Sequence, residues 1–150
     1  MSESPEHNRS ELGPAAEHVD DQAMIERTRL RIADEQVVAR FIVDAARLMS
    51  DSHCQDVRIF DVRGKSDVTD YLIIASGTSD RQIRSVAEDV EELAAGQGMH
   101  RFGRDEDAPS KWVVIDFIDV IVHLFEPHTR GYYDLEMMWG DAPQVPWRRP

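Results

Sequence analysis

Apolar residues first fall into a regular spacing after Val37. Val38, Phe41, Ile42, Ala45, Leu48 and Met49 recur at intervals of three and four, which puts them on one face of an amphipathic helix ending near residues 50–53. The period then shortens. The stretch 57–62 (VRIFDV) reads as a strand stopped by Gly64. The run 71–75 (YLIIA) is continuously apolar and too short for a helix, the pattern of a central strand covered on both faces. Ser76-Gly77-Thr78-Ser79 breaks it, and Ser79 with Gln82 forms an S-x-x-Q capping box. The helix that follows carries Ile83, Val86, Ala87, Val90, Leu93 and Ala94 on one face and stops at Gly96 and Gly98. A polar loop is predicted from there through Pro109. Residues 112–117 (WVVIDF) and 120–125 (VIVHLF) read as a hairpin joined at Ile118-Asp119. Alternation puts Trp112, Val114 and Asp116 on one face of the first strand and Val113, Ile115 and Phe117 on the other. A last helical segment is predicted over 129–139, opened by Glu126-Pro127. The order helix, strand, strand, helix, strand, strand, helix predicts an α/β fold, a mixed sheet with flanking helices.

The chain before Val37 is different. Residues 1–36 hold nine acids and four arginines, a net charge of -5 against -7 for the remainder. Residues 1–20 are too polar to bury a core and are predicted disordered. Residues 21–35 (DQAMIERTRLRIADE) are good helix formers with a thin apolar stripe, and predict a helical extension. At the other end GDAPQVPWRRP, with three prolines, predicts an irregular tail. The chain thus divides into an acidic extension (1–36), one folded domain (37–141) and a tail (142–150).

Composition narrows the partners. Of 150 residues 41% are hydrophobic, enough for one core. A net charge of -12 repels phosphate backbones, which argues against direct sequence-specific nucleic-acid binding and suits a basic protein partner. No apolar run approaches the roughly 20 residues that span a bilayer, and the first residues lack the basic and apolar regions of a signal peptide, so no membrane is expected and the cytoplasm is the expected compartment. Cys54 is the one cysteine; it allows no intramolecular disulfide and fits a reducing compartment.

Two catalytic arrangements can be drawn from the residues. Asp61, Asp70, Asp116 and Asp119 fall at strand ends or turns, and Gly77-Thr78-Ser79 before a helix could cradle a phosphate; together they sketch a nucleotidyltransferase-like enzyme. Such a site needs two carboxylates on one strand face, as in D-x-D, and the chain is read as having no D-x-D. The glycine loop is also too short for a P-loop, so Ser79 is read as a helix cap. His123, Glu126 and His128 have zinc-ligand chemistry, but His123 lies on a strand and Pro127 intervenes. A hydrogen-bonded, half-buried His123 on the side of Ile121 and Phe125 is the reading adopted. No metal or other cofactor is expected. Tyr132, Tyr133 and Trp139, beside Met137 and Met138, form an aromatic cluster of the kind found both at interfaces and in cores.

Three blocks resemble the ribosomal silencing factor (Iojap-like) family. They are Asp61-Val62-Arg63 with the run Asp70 to Gln82 (DYLIIASGTSDRQ), the hairpin WVVIDF with DVIVHLF, and the ending Arg130-Gly131-Tyr132-Tyr133-Asp134-Leu135-Glu136 with Trp139. The resemblance runs from about Val37 to Asp141. It implies a fold related to nucleotidyltransferases without their catalytic carboxylates, and a binding protein rather than an enzyme. It further implies docking on the large ribosomal subunit through its fourteenth protein, which blocks joining of the small subunit and represses translation when nutrients are scarce. A large-subunit biogenesis factor without silencing is the alternative. Two departures stand out: Ile118 replaces the usual glycine of the hairpin turn, which predicts a turn that is strained or of another type, and residues 101–110 lack the usual Arg-x-Glu-Gly element. The contact residues so implied are Trp112, Asp116, Asp119, His123, Arg130, Tyr132, Tyr133, Glu136 and Trp139, with Tyr71 and Asp80 secondary; some must belong to the core. An apolar partner-binding patch can also pair with itself, so the free chain can form a homodimer.

Overall fold

A computed structural model describes residues 21–30, 34–107 and 111–150. The disorder expected over 1–20 lies outside the described residues. Helix α1 spans Asp21–Leu30, and α2 spans Glu35–Asp51. The Asp34 side chain starts α2 by accepting from the Gln36 backbone N–H at 2.7 Å. Strands β1 (Gln55–Asp61) and β2 (Tyr71–Ser76) follow, then helix α3 (Asp80–Gly96). Next come β3 (Gly103–Asp107), β4 (Trp112–Asp116) and β5 (Val120–Phe125), and two short helices, α4 (Pro127–Tyr133) and α5 (Leu135–Met138).

The five strands form one sheet in the order β1-β2-β5-β4-β3. Only the β2–β5 pair is parallel, as the α3–β3–β4 crossover between them allows; the others are antiparallel. Both faces are buried, which is why β2, β4 and β5 are apolar without alternation. On one face Val38, Phe41, Ile42, Ala45 and Met49 of α2 and Ile83, Val86, Ala87, Val90 and Ala94 of α3 pack on Ile59, Ile73, Val113, Ile115 and Val122. On the other lie Phe60, Leu72, Ile74, Trp112, Val114, Ile121 and Phe125, with Leu135 and Ala142 packed among them. The expected alternation of β4 is therefore observed for Val113, Ile115 and Phe117 on the first face and for Trp112 and Val114 on the second. Cys54 is buried too, and its burial pushes the thiol up to about 11.

Three sequence expectations need correction. The loop predicted before Pro109 contains β3, an edge strand with the sequence GRDED. It pairs with β4 from Gly103–Asp116 to Asp107–Trp112, so backbone hydrogen bonds hold it where no apolar pattern announced it. This strand also carries Asp105-Glu106-Asp107, a D-x-D whose outer positions share a face, so the strands are not without one. Finally, the single helix predicted over 129–139 starts earlier, with Pro127 in its first turn, and breaks at Asp134, which has φ 50° and ψ 52°.

The hairpin turn is strained as expected. Ile118 has φ 74°, a region disfavoured for β-branched residues. The Asp119 N–H donates to the Phe117 carbonyl at 2.9 Å, closing a three-residue turn around it. Two things hold it there: the Ile118 N–H donates to Asp116 Oδ1 at 2.9 Å, and the side chain is 4% exposed. The C-terminal tail runs along the free edge of β1. The Asp61 N–H donates to the Pro143 carbonyl (2.8 Å), the Val145 N–H to the Ile59 carbonyl (2.9 Å), and Trp147 Nε1 to the Val57 carbonyl (3.1 Å). Unpaired backbone groups of an edge strand are thereby satisfied within the chain.

Candidate functional site: the C-terminal block

The tight sequence Arg130–Trp139 is organised by one buried cation. On a continuous helix, residues six apart point in different directions and could not form an ion pair. The left-handed Asp134 folds α5 back on α4, and that brings Glu136 to Arg130. Nε of Arg130 donates to Glu136 Oε1 at 3.0 Å and Nη2 to Oε2 at 2.8 Å, a two-pronged pairing. Nη1 donates to the Ser76 hydroxyl at the end of β2 at 2.8 Å. Nη2 also lies 3.3 Å from Asp56 Oδ2. Asp56 reaches it because β1 is irregular there: its register shifts between Gln55 and Arg58, and Asp56 has φ 51°. Arg58 completes the group, 2.9 Å from Asp56 and 3.8 Å from Glu136. Two arginines and two carboxylates thus neutralise one another, with the Arg130 side chain 7% exposed. Leu135 anchors α5 in the second face of the sheet, and Trp139 packs against the same cluster. Met137 and Met138 are left in solvent, 77% and 53% exposed.

The remaining candidates do other work. Trp112 and His123 are buried, so neither offers a surface to a partner in this structure. They hold each other: Trp112 Nε1 donates to His123 Nδ1 at 3.1 Å, and Phe125 lies against both rings, 4.6 Å from Trp112 and 5.9 Å from His123. An indole nitrogen can only donate, so His123 Nδ1 is an acceptor and the ring proton sits on Nε2. Burial lowers the His123 pKa to about 3. His123 is thus hydrogen-bonded as expected, but wholly rather than half buried. Asp116 and Asp119 are also buried and build the hairpin turn; the Asp119 carbonyl accepts from the Asp70 and Tyr71 N–H groups as well. Tyr71 is partly buried, with the Arg63 guanidinium 5.3 Å above its ring. Asp80 opens α3. Tyr132 and Tyr133 belong to α4, and their side chains lie outside the described part of the structure. Among the residues brought to the surface here, Met137 and Met138 were not singled out from sequence; their only signal was their place beside the aromatic cluster.

Neither catalytic sketch is assembled. Two backbone donors of Gly77-Thr78-Ser79 are taken, the Thr78 N–H by Gln82 Oε1 (2.5 Å) and the Gly77 N–H by the Phe125 carbonyl (2.7 Å), while Ser79 Oγ accepts from the Gln82 N–H (3.1 Å) as the cap of α3. Gly77 has no room either, because a Cβ there would collide with Ile83 Cγ1 and lie 2.8 Å from Gln82 Oε1. Gly77→Ala should therefore lower stability by about 2 kcal/mol, since Ile83 is core and cannot yield. An unchanged melting temperature would show that the start of α3 shifts freely. Glu126 serves as the cap of α4, its Oε1 accepting from the Thr129 N–H at 2.9 Å, and that bond holds its carboxyl below the usual range. His123 is buried in the sheet, away from this cap. Among the described residues no three His, Cys, Asp or Glu side chains group to hold a metal, and no helix is long and apolar enough to cross a membrane.

Comparison with known proteins agrees with the three sequence blocks. The family described as "Ribosomal silencing factor during starvation" matches residues 33–149. A ribosomal silencing factor of Bacillus subtilis is 36% identical over 99 residues, covering 66% of this chain and 84% of that protein. A mouse protein named "Mitochondrial assembly of ribosomal large subunit protein 1" is 27% identical over 112 residues, covering 70% of this chain and 48% of its own. A crystal structure from Chromobacterium violaceum superposes with a TM-score of 0.65 at 25% identity, covering 79% of this chain and 95% of that one. The family name describes a regulator of ribosomes, not an enzyme. On a match that spans both faces of the sheet, the C-terminal block and the tail, the chain belongs to the ribosomal silencing factor family.

Proposed function

We propose that this chain silences ribosomes by docking its C-terminal block on the fourteenth protein of the large subunit, so that the small subunit cannot join. The observation that supports this reading is the rigid mount of α5: the buried Arg130 fork and Leu135 hold it in place while Met137 and Met138 project into solvent. Two adjacent exposed methionines on a fixed helix make an adaptable apolar contact. The net charge of -12 steers the chain toward a basic protein and away from bare RNA. The cytosol, or an organelle interior with ribosomes, is where this activity belongs. The same apolar pair can join two free copies, which docking would then separate.

The test is a subunit-joining assay with purified large and small subunits. The full chain should inhibit joining. Met137→Asp with Met138→Asp touches no core residue and should weaken inhibition roughly thirtyfold, a loss of about 2 kcal/mol. Failure of the unaltered chain to inhibit would sink the silencing reading. The mouse relative's name favours a second one, assembly of the large subunit. That reading predicts binding to immature large subunits without any effect on the joining of mature ones.

A further inference from the structure

We propose that Met137 and Met138 form a reversible oxidation site, where oxygen transfer from a peroxide releases the chain from its ribosomal partner. This rests on the docking reading above and deepens it by naming a control of the same surface. Sulfur occurs among the described residues at Met24, Met49, Cys54, Met99, Met137 and Met138. A thiol reacts with peroxide as its thiolate. Cys54 is 7% exposed and burial pushes its thiol up to about 11, so at neutral pH that route is closed. Met49 and Met99 are buried in the core of the first face, and Met24 is half-buried against the second. Of these sulfurs Met137 and Met138 are the ones left to solvent, 77% and 53% exposed on a helix held by Leu135 and the Arg130 fork.

A thioether needs no ionisation to react. Its lone pair takes one oxygen of hydrogen peroxide, the O–O bond breaks, and the other oxygen leaves as water, so the sulfur is oxidised to a sulfoxide and the peroxide is reduced. The change reverses when two thiols of a reductant close to a disulfide and the sulfoxide oxygen leaves as water. Oxidation replaces an adaptable apolar surface by a strong dipole that accepts hydrogen bonds. A partner matched to the thioethers must then strip water from that oxygen without supplying a donor, which weakens docking. The fold is spared, because neither side chain belongs to the core on either face of the sheet.

The full chain is treated with hydrogen peroxide and catalase removes the excess before ribosomal subunits are added. Oxygen gained at each methionine is read by peptide mass mapping, beside the melting temperature and the inhibition of subunit joining. Met137 and Met138 should each gain an oxygen while Met49 and Met99 gain none. Inhibition should weaken roughly tenfold, less than for the aspartate pair because a sulfoxide carries no charge. The melting temperature should not move. Methionine sulfoxide reductases for both sulfoxide epimers, with dithiothreitol, should restore inhibition. Met137→Leu with Met138→Leu keeps the apolar contact without the sulfur, so that chain should inhibit alike before and after peroxide. Met137 and Met138 that stay unoxidised overturn the site. Oxidation of both with unchanged inhibition, or an equal loss in the leucine chain, overturns the switch. Should the leucine chain dock poorly, failure of the reductases to restore inhibition overturns it instead. If the untreated chain does not inhibit joining, the docking reading fails and the switch with it, even where the mass map shows both sulfoxides.

Discussion

Arg130→Ala should destabilise the chain by about 3 kcal/mol and loosen the C-terminal block from the sheet. The size follows from what is left behind. Removing the guanidinium strands Glu136, whose two oxygens lose bonds of 3.0 and 2.8 Å, and takes the donor from the Ser76 hydroxyl at 2.8 Å. Breaking a buried pair from one side leaves an uncompensated charge, which is what makes the loss large. Two features keep it at the lower end of that range: the Glu136 side chain is 20% exposed, and Arg58 lies 3.8 Å away as a second cation. For a chain of this size the melting temperature should fall by roughly 10 °C. Arg130→Lys keeps the charge but not the fork, and should recover less than half of the loss. Amide exchange at residues 135–139 should accelerate in step. Melting within about two degrees of the unaltered chain would show that Leu135, and not the arginine, holds α5.

That network also shows where sequence reading stopped. The helices were legible because α2 and α3 bury one face each, so their apolar residues follow the helical period. Strands β2, β4 and β5 were legible because burial on both faces makes continuous apolar runs. Strand β3 was not, since an edge strand of sequence GRDED is fixed by its backbone pairing with β4, and no side-chain period records that. The break at Asp134 was equally silent: one left-handed residue redirects the chain, and Asp adopts that conformation without glycine's signature. With the break unseen, Arg130 and Glu136 looked like two surface charges six residues apart. Trp112 and His123 were chosen for chemistry that their burial instead spends on each other. Asp56 and Ser76, which complete the Arg130 network, lie more than 50 positions from it and had no motif to mark them.

Lowering the pH should expose the work done by His123. Its pKa is about 3 in the folded chain, pushed down by burial, against about 6.5 when unfolded. Between those values the unfolded chain binds a proton that the folded chain refuses, so stability is full above pH 6.5 and is lost as pH falls toward 3. The slope is about 1.4 kcal/mol per pH unit. Protonation would also place a hydrogen on Nδ1, where Trp112 Nε1 now donates at 3.1 Å, so the charged ring loses its partner as well as its burial. The carboxyl of Asp61 is held low by the side-chain bond from Arg63, and its contribution is lost only in more acid solution, as pH falls from the ordinary carboxylate value through its own lowered one. The window between about pH 6.5 and 4.5 therefore isolates the histidine. His123→Asn supplies the test, because its Oδ1 can accept from Trp112 in place of Nδ1 but does not titrate. At pH 7.5 the Asn variant should be less stable by about 1–2 kcal/mol, through lost ring volume. Its unfolding free energy should fall with acid by about 1.4 kcal/mol less per pH unit, so the two curves meet before pH 4.5. Parallel curves would mean that His123 titrates alike in the folded and unfolded chains. The second face of the sheet would then be open to water at its centre, and the buried Trp112–His123 pair could not stand.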